Sequence, residues 1–85
     1  MPCDPFSRTI PFRYSSFDTL NDTDHGLYSF WYNRCCIYVG KAEFQPIRWR
    51  LIDHWKGSHN SHLQDWIDAK GSTLSVRVKV IEDLY

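Results

Sequence analysis

Two runs of aromatic and β-branched residues, one on each side of Asn33-Arg34, restrict the fold of this chain most. Residues 27–31 and 35–39 have the composition that suits a pleated strand. Asn33-Arg34 between them is typical of a turn. The two runs are therefore predicted to fold back on each other as a β-hairpin. Because a slip of one residue moves every side chain to the other face, the length of the turn decides which side chains meet.

The length of this turn determines how Tyr28 and Tyr38 are related. A loop of three residues pairs Trp31 with Cys35 and sets the two tyrosines directly opposite each other on one face. A loop of two residues puts them on opposite faces. We predict the first arrangement, with both hydroxyls directed toward Arg48 on the helix that follows.

The rest of the chain is predicted to supply two helices and a third strand. Pro46 suits the first turn of a helix that stops at Gly57, and Ser61 with Gln64 forms a capping-box pattern before a second helix. Strict alternation of apolar and polar residues over 74–80 predicts a half-buried strand. The expected fold is α/β (α+β), a three-stranded, mainly antiparallel sheet flanked by two helices in the order β-β-α-α-β.

The apolar residues of these elements are expected to form one core. They recur at helical spacing in the two helices and on one face of the last strand. The set is Ile47, Leu51, Ile52 and Trp55, then Leu63, Trp66 and Ile67, then Leu74, Val76, Val78 and Val80.

The length allows one small domain. With 85 residues, of which 16% are aromatic, the chain can form one compact core but not two. Residues 1–25 contain three of the four prolines and are predicted to be an irregular aromatic arm, which packs on the domain or serves a protein partner. Residues 26–85 are predicted to be the domain itself.

Charge is balanced overall but not along the chain. A formal net charge of zero gives no global attraction to nucleic acid. Between residues 26 and 56, however, five basic side chains stand against two carboxylates, which predicts a local basic face. The five are Arg34, Lys41, Arg48, Arg50 and Lys56.

The cysteines and the hydropathy pattern indicate the cellular compartment in which the protein is expected. Of three cysteines, Cys35 and Cys36 are neighbours in a predicted strand and should point to opposite faces. A disulfide framework is therefore not expected, and reduced thiols in the cytoplasm are the better interpretation. The sequence shows no signal-peptide pattern and no apolar run that approaches a membrane span.

Two tripeptides and an arginine carry a resemblance to a known family. Gly26-Leu27-Tyr28 is followed about ten residues later by Tyr38-Val39-Gly40, and Arg48 lies eight residues beyond the last glycine. In this order they resemble the GIY-YIG nuclease domain, and residues 38–43 are similar to the excision-repair nucleases of that family. The resemblance covers roughly residues 25–82.

The resemblance implies hydrolysis of DNA phosphodiesters with Mg²⁺ or Mn²⁺. In such a reaction a water loses a proton while negative charge grows on the phosphoryl oxygens. By resemblance, Tyr28 is the general base, Tyr38 positions the water or the phosphate, and Arg48 stabilises the charge, with Gly26 and Gly40 as motif glycines. Since a tyrosine of ordinary pKa, about 10, is a poor base at neutral pH, a nearby cation is also required, and the candidates are Lys41, Arg48 or a metal.

Further DNA contacts are expected from six side chains near that site: Lys41, Trp49, Arg50, Lys56, Asn60 and His62. Ordinary structural explanations stay open, with the tyrosines as a cross-strand pair, the arginine as a solvated helix charge and the glycines as turn residues. A zinc site at His59 and His62 is less favoured than capping or surface roles, because no Cys-x-x-Cys accompanies them.

The chain departs from the family pattern at two places. The family's metal-binding glutamate lies on a helix after the third strand, whereas Glu82 and Asp83 come too early, so Glu82 is a weak metal candidate. The histidine that often follows the arginine by one turn is replaced by Ile52, and His54 is expected to point elsewhere. We therefore expect weak DNA binding with little cleavage. A fragment that lacks the glutamate and an inactive DNA-binding or protein-interaction domain are the alternatives.

Overall fold

The structure, a computed structural model, describes residues 8–81. One face of a four-stranded antiparallel sheet packs against two longer helices, and the strands lie in the order β1-β4-β2-β3. In chain order the elements are β1 (Arg8–Pro11), α1 (Tyr14–Phe17), β2 (Gly26–Tyr32), β3 (Cys35–Ala42), α2 (Ile47–Lys56), α3 (Ser61–Lys70), a 3-10 turn (Gly71–Thr73) and β4 (Ser75–Val80).

The α+β class and the antiparallel pairing are confirmed, but the predicted count of three strands is wrong. The additional strand, β1, comes from the arm that was expected to be irregular, and it pairs along the outer side of β4 with Ile10 opposite Val76. The prolines of residues 1–25 are the reason why irregular structure was expected in this segment. Pro11, however, ends an edge strand, where a missing N–H disturbs the sheet little.

The arm packs on the domain as expected. Phe12, Phe17 and Leu20 are buried in the common core, whereas Tyr14 is half exposed. Phe6 lies outside the described residues. Because most of the arm's described aromatic surface is already covered, its use by a protein partner stays a prediction without structural support.

The hairpin turn has two residues rather than three. Asn33 and Arg34 both have positive φ, 49° and 69°, which is typical of the tight turns that join twisted antiparallel strands. Tyr32 pairs with Cys35, so the predicted pairing of Trp31 with Cys35 is wrong.

A β-bulge nevertheless brings the two motif tyrosines to one face. The register shifts after Phe30, and Ile37 is the extra residue on β3, so that Phe30 pairs with Tyr38. Tyr28 pairs with Gly40 and lies diagonal to Tyr38, with 6.3 Å between ring centroids. The expectation of a shared face is confirmed, but that of direct opposition is wrong.

Helix α2 buries three of the four residues predicted for its core side, Ile47, Leu51 and Ile52, but not Trp55. Its buried residues are Ile47, Leu51, Ile52 and His54. Trp55 is 41% exposed and covers the arm instead, with its ring 5.4 Å from that of Phe12 and 6.1 Å from that of Phe17. A histidine therefore occupies the core position that the apolar pattern gave to a tryptophan.

Helix α3 begins one residue earlier than the capping-box pattern indicated. Asn60 is the N-cap, and its side-chain oxygen accepts a hydrogen bond of 2.9 Å from the Leu63 N–H. Gln64 accepts from the Ser58 N–H at 2.6 Å, so the predicted cap at Ser61 is wrong. Between residues 8 and 81 no helix is long and apolar enough to cross a membrane.

Strand β4 and the residue before it place their apolar face in the core as predicted. Leu74, Val76 and Val78 are buried, while Val80 at the strand end is 38% exposed. Leu63 is the fully buried residue of α3, and Trp66 and Ile67 are partly buried against the same core.

Candidate active site

The motif glycines are required by close approach and not by a turn. A Cβ on Gly40 would lie 2.3 Å from the ring of Tyr28, which lies over that residue from the neighbouring strand. A Cβ on Gly26 would lie 2.0 Å from the carbonyl oxygen of Lys79 on β4. Both distances are impossible for real atoms, so the first glycine makes room for Tyr28 and the second lets β2 pair with β4. The explanation of these glycines as turn residues is wrong.

The Tyr28 hydroxyl meets a histidine in the core. Tyr28 has no exposed surface, and its Oη lies 2.8 Å from Nε2 of His54, which is itself only 5% exposed. The other ring nitrogen of His54, Nδ1, lies 2.9 Å from Oγ of Ser58. Three side chains from β2, α2 and the α2–α3 loop thus form one continuous chain of hydrogen bonds.

Burial fixes the protonation states in this chain. It raises the pKa of Tyr28 to about 12 and lowers the pKa of His54 to about 4, because each charged form would lose its hydration. Tyr28 is therefore protonated and His54 neutral at neutral pH. In the tautomer that carries its proton on Nδ1, His54 accepts from the Tyr28 O–H at Nε2 and donates from Nδ1 to Ser58 Oγ.

Arg50 is the cation beside this pair. Its charge opposes the effect of burial on the pKa of Tyr28, while the neighbouring Tyr38 adds to that effect. The same charge helps to lower the pKa of His54, and Asp53 acts in the opposite direction. A cation is thus present beside the tyrosine, and it is Arg50 and neither of the predicted side chains, Lys41 and Arg48.

Arg48 lies on the other flank of α2. Its guanidinium donates to the Asp18 carboxylate at 2.8 Å and also to Asp22, so it joins the helix to the N-terminal arm. Successive helical residues are about 100° apart, which separates Arg48 from Arg50 by about 200° and leaves only Arg50 on the side of His54. The prediction that the tyrosine hydroxyls are directed toward Arg48 is wrong. The alternative that Arg48 is only a solvated helix charge is also wrong, because Arg48 is paired with Asp18 and Asp22.

His54 is the residue that the sequence interpretation missed. The resemblance puts an arginine and a histidine one helical turn apart at positions 48 and 52, where position 52 is Ile52. Arg50 and His54 have the same spacing two residues later. His54 contacts Tyr28, so the expectation that it points elsewhere is wrong. The distance from Gly40 favours Arg48, whereas the spacing of one helical turn to a histidine favours Arg50.

Arg50 forms part of two clefts. The smaller, of about 270 Å³, contains Tyr38, Asp53, His54 and the loop that leads to α3. The larger, of about 450 Å³, lies along the β3–α2 connection and is lined by Lys41, Glu43, Phe44, Gln45 and Arg50. A ligand bound at Arg50 can therefore reach Tyr38 and His54 on one side and the β3–α2 connection on the other.

The other predicted DNA contacts do not share one face. Lys41 lies in the larger cleft, and Asn60 lines the smaller one although its side-chain oxygen caps α3. Trp49 and Lys56 are exposed elsewhere on α2. His62 lines a separate pocket beside α3. The described residues therefore support a local site at Arg50 and not a continuous basic face.

The described residues do not fit the expected divalent metal. Over residues 8–81, no three His, Cys, Asp or Glu side chains form a group that could hold a metal ion. Asp53 is the carboxylate in the smaller cleft, and a single carboxylate is a sparse ligand set for a hard cation. Glu82 and Asp83 lie outside the described residues.

No family model, curated protein or solved structure matches this chain. The resemblance to the GIY-YIG domain therefore depends on the sequence motifs alone. Tyr28 and Tyr38 both place their rings 5.6 Å from the ring of His54, and Arg50 lines the same cleft as Tyr38 and His54.

Proposed function

We propose that this chain is a GIY-YIG-type nuclease domain that binds a DNA phosphodiester at Arg50 and hydrolyses it with Tyr28 and His54. The observation that carries the proposal is the hydrogen bond of 2.8 Å between the Tyr28 hydroxyl and Nε2 of His54, formed beside the Arg50 guanidinium. A permanent cation next to a proton acceptor is what phosphodiester hydrolysis requires.

The pair also supplies an acceptor for the proton of the attacking water. Protonated Tyr28 can take that proton only if it passes its own to His54, and Nε2 is placed to receive it. The water oxygen forms the new bond to phosphorus and the bond to the leaving oxygen breaks. The leaving oxygen takes a proton from solvent, and protonated His54 returns one proton to solvent. A bound phosphate brings negative charge to the cleft, which favours the protonated form of His54 during the reaction.

Arg50 takes the role that the motif spacing gave to Arg48. Its guanidinium can hold two phosphoryl oxygens at once and stays ionised throughout the reaction. Tyr38 lines the same cleft and suits the positioning of the water or the phosphate. Mg²⁺ or Mn²⁺ stays a prediction from the resemblance.

A second candidate is a DNA-binding domain without catalysis. Full burial of the Tyr28 side chain favours it, because a hydroxyl without exposed surface and with a pKa of about 12 is a poor partner for water. This candidate uses Arg50 and the same cleft but no proton transfer.

Nicking of supercoiled plasmid in Mg²⁺ or Mn²⁺ separates the two candidates. Cutting that is lost in Tyr28→Phe and His54→Gln, but kept in the matched variant Tyr14→Phe at a half-exposed tyrosine of the arm, would support hydrolysis. Salt-sensitive DNA binding without cutting by the unmodified chain would favour the binding domain. Absence of both cutting and salt-sensitive binding would contradict both candidates.

A further inference from the structure

Phe44 is exposed to a degree that sets it apart from the other described phenylalanines. It lies between β3 and α2 and is 86% exposed, whereas Phe12, Phe17 and Phe30 are completely buried. Single exposed apolar residues are common on protein surfaces. Phe44 differs because it forms part of a cleft that also contains charged side chains.

The composition of this cleft indicates the kind of ligand. Its volume of about 450 Å³ is of the size that small-molecule sites have. The cleft contains two cations, Lys41 and Arg50, and one carboxylate, that of Glu43, which lies 3.1 Å from the Lys41 ammonium. The charged side chains that line the cleft therefore have a net positive charge. An aromatic ring, an excess of positive charge and the Gln45 amide together suit a nucleotide, which has a flat base, a phosphate and a polar base edge.

We propose that the cleft between Lys41 and Arg50 is a nucleobase subsite in which an unpaired base stacks on Phe44. The subsite depends on the proposed function, since Arg50 is the residue that joins it to the hydrolytic cleft. With a phosphate at Arg50, the neighbouring nucleotide of the same strand is directed along the β3–α2 connection. Its base meets the Phe44 ring, and Lys41 is available for the next phosphate.

Stacking of this kind selects for unpaired DNA. A base within a duplex already has both faces stacked and its edge paired, so it must leave the helix before it can lie on a protein ring. A base in a single strand, a frayed end or a bulge needs no such step. The domain is therefore inferred to prefer single-stranded or locally unpaired DNA to continuous duplex.

Fluorescence anisotropy with labelled oligonucleotides tests the subsite. The probes are a short single strand, a duplex of the same sequence, and the single strand with one abasic position. Because base–aromatic stacking is worth about 1–3 kcal/mol, Phe44→Ala should weaken single-strand binding by about 5- to 150-fold and duplex binding much less. Phe44→Trp, which keeps an aromatic face, should retain the affinity.

Two comparisons make the assignment specific. Val39→Ala, at another exposed apolar residue that does not line the cleft, should leave single-strand affinity unchanged. If Phe44 stacks on a base, the loss caused by Phe44→Ala should shrink when the abasic position occupies the subsite. Thermal unfolding of Phe44→Ala should match that of the unmodified chain, since the side chain is exposed.

The results also separate this inference from the proposed function. An unchanged single-strand affinity in Phe44→Ala, or an equal loss on single strand and duplex, overturns the subsite. If Arg50→Ala still weakens binding in that case, the proposed function stands. If the unmodified chain binds none of the probes, both fail.

Discussion

Protonation of His54 should destabilise the fold between pH 6.5 and pH 4. The imidazole is buried, and its pKa is lowered from 6.5 to about 4, whereas the unfolded chain keeps the ordinary value. Above pH 6.5 the group is neutral in both states, and its contribution to stability is fully present. As the pH falls toward 4, the unfolded chain binds a proton that the folded chain does not, so stability is lost.

The size of this effect follows from the change in pKa. A difference of about 2.5 pH units at about 1.4 kcal/mol per unit gives a loss of about 3 kcal/mol. That is a large part of the stability of a small domain, which is typically about 5–15 kcal/mol. The urea concentration at the unfolding midpoint should therefore be clearly lower at pH 4 than at pH 7.

Urea unfolding at a series of pH values measures this loss. His54→Gln removes the titrating group and should not lose this part of the stability. The free energy of unfolding of the variant minus that of the unmodified chain should therefore rise by about 3 kcal/mol from pH 7 to pH 4. His62→Gln, at an exposed histidine, should follow the unmodified chain. Identical pH dependence in His54→Gln and the unmodified chain, or an NMR titration of His54 centred near pH 6.5, would refute the reasoning.

Two further predictions concern packing. Gly40→Ala should destabilise the fold by about 1–3 kcal/mol, because its Cβ would overlap the Tyr28 ring. The loss, measured by urea unfolding, should be smaller in a Tyr28→Leu background. An equal loss in both backgrounds would contradict the contact. Leu63→Ala should cost about 2–5 kcal/mol and more than Trp66→Ala, since only Leu63 is fully buried. The opposite order in thermal or urea unfolding would show that α3 faces the core differently.

The sequence was sufficient to predict the elements that depend on local pattern. Alternation over residues 74–80 gave a strand with the correct inward face, and the turn residues gave the hairpin. The bulge at Ile37 could not be read from the pattern, because its residues suit either register. The bulge alone brings Tyr28 and Tyr38 to one face across a two-residue turn.

The burial of His54 in the candidate site could not be predicted from helical periodicity. Periodicity assigns apolar residues to the buried side of a helix, so Trp55 was expected in the core and His54 was not. In the structure Trp55 packs against phenylalanines of the arm instead of the main core. His54 is buried in the core because the Tyr28 hydroxyl there forms a hydrogen bond with it. Tertiary contacts of this kind are not encoded in the spacing of one helix.

The role of Arg50 is the central claim, and the salt dependence of DNA affinity in Arg50→Ala and Arg48→Ala tests it most directly. The two arginines lie on one helix, but only Arg50 lines the clefts, while Arg48 is engaged with Asp18 and Asp22. Arg50→Ala should weaken binding and reduce the slope of log affinity against log salt by about 1, the loss of one phosphate contact. Arg48→Ala should leave affinity and slope unchanged and should lower stability by about 1 kcal/mol or less. A lower slope in Arg48→Ala together with an unchanged slope in Arg50→Ala would contradict the account.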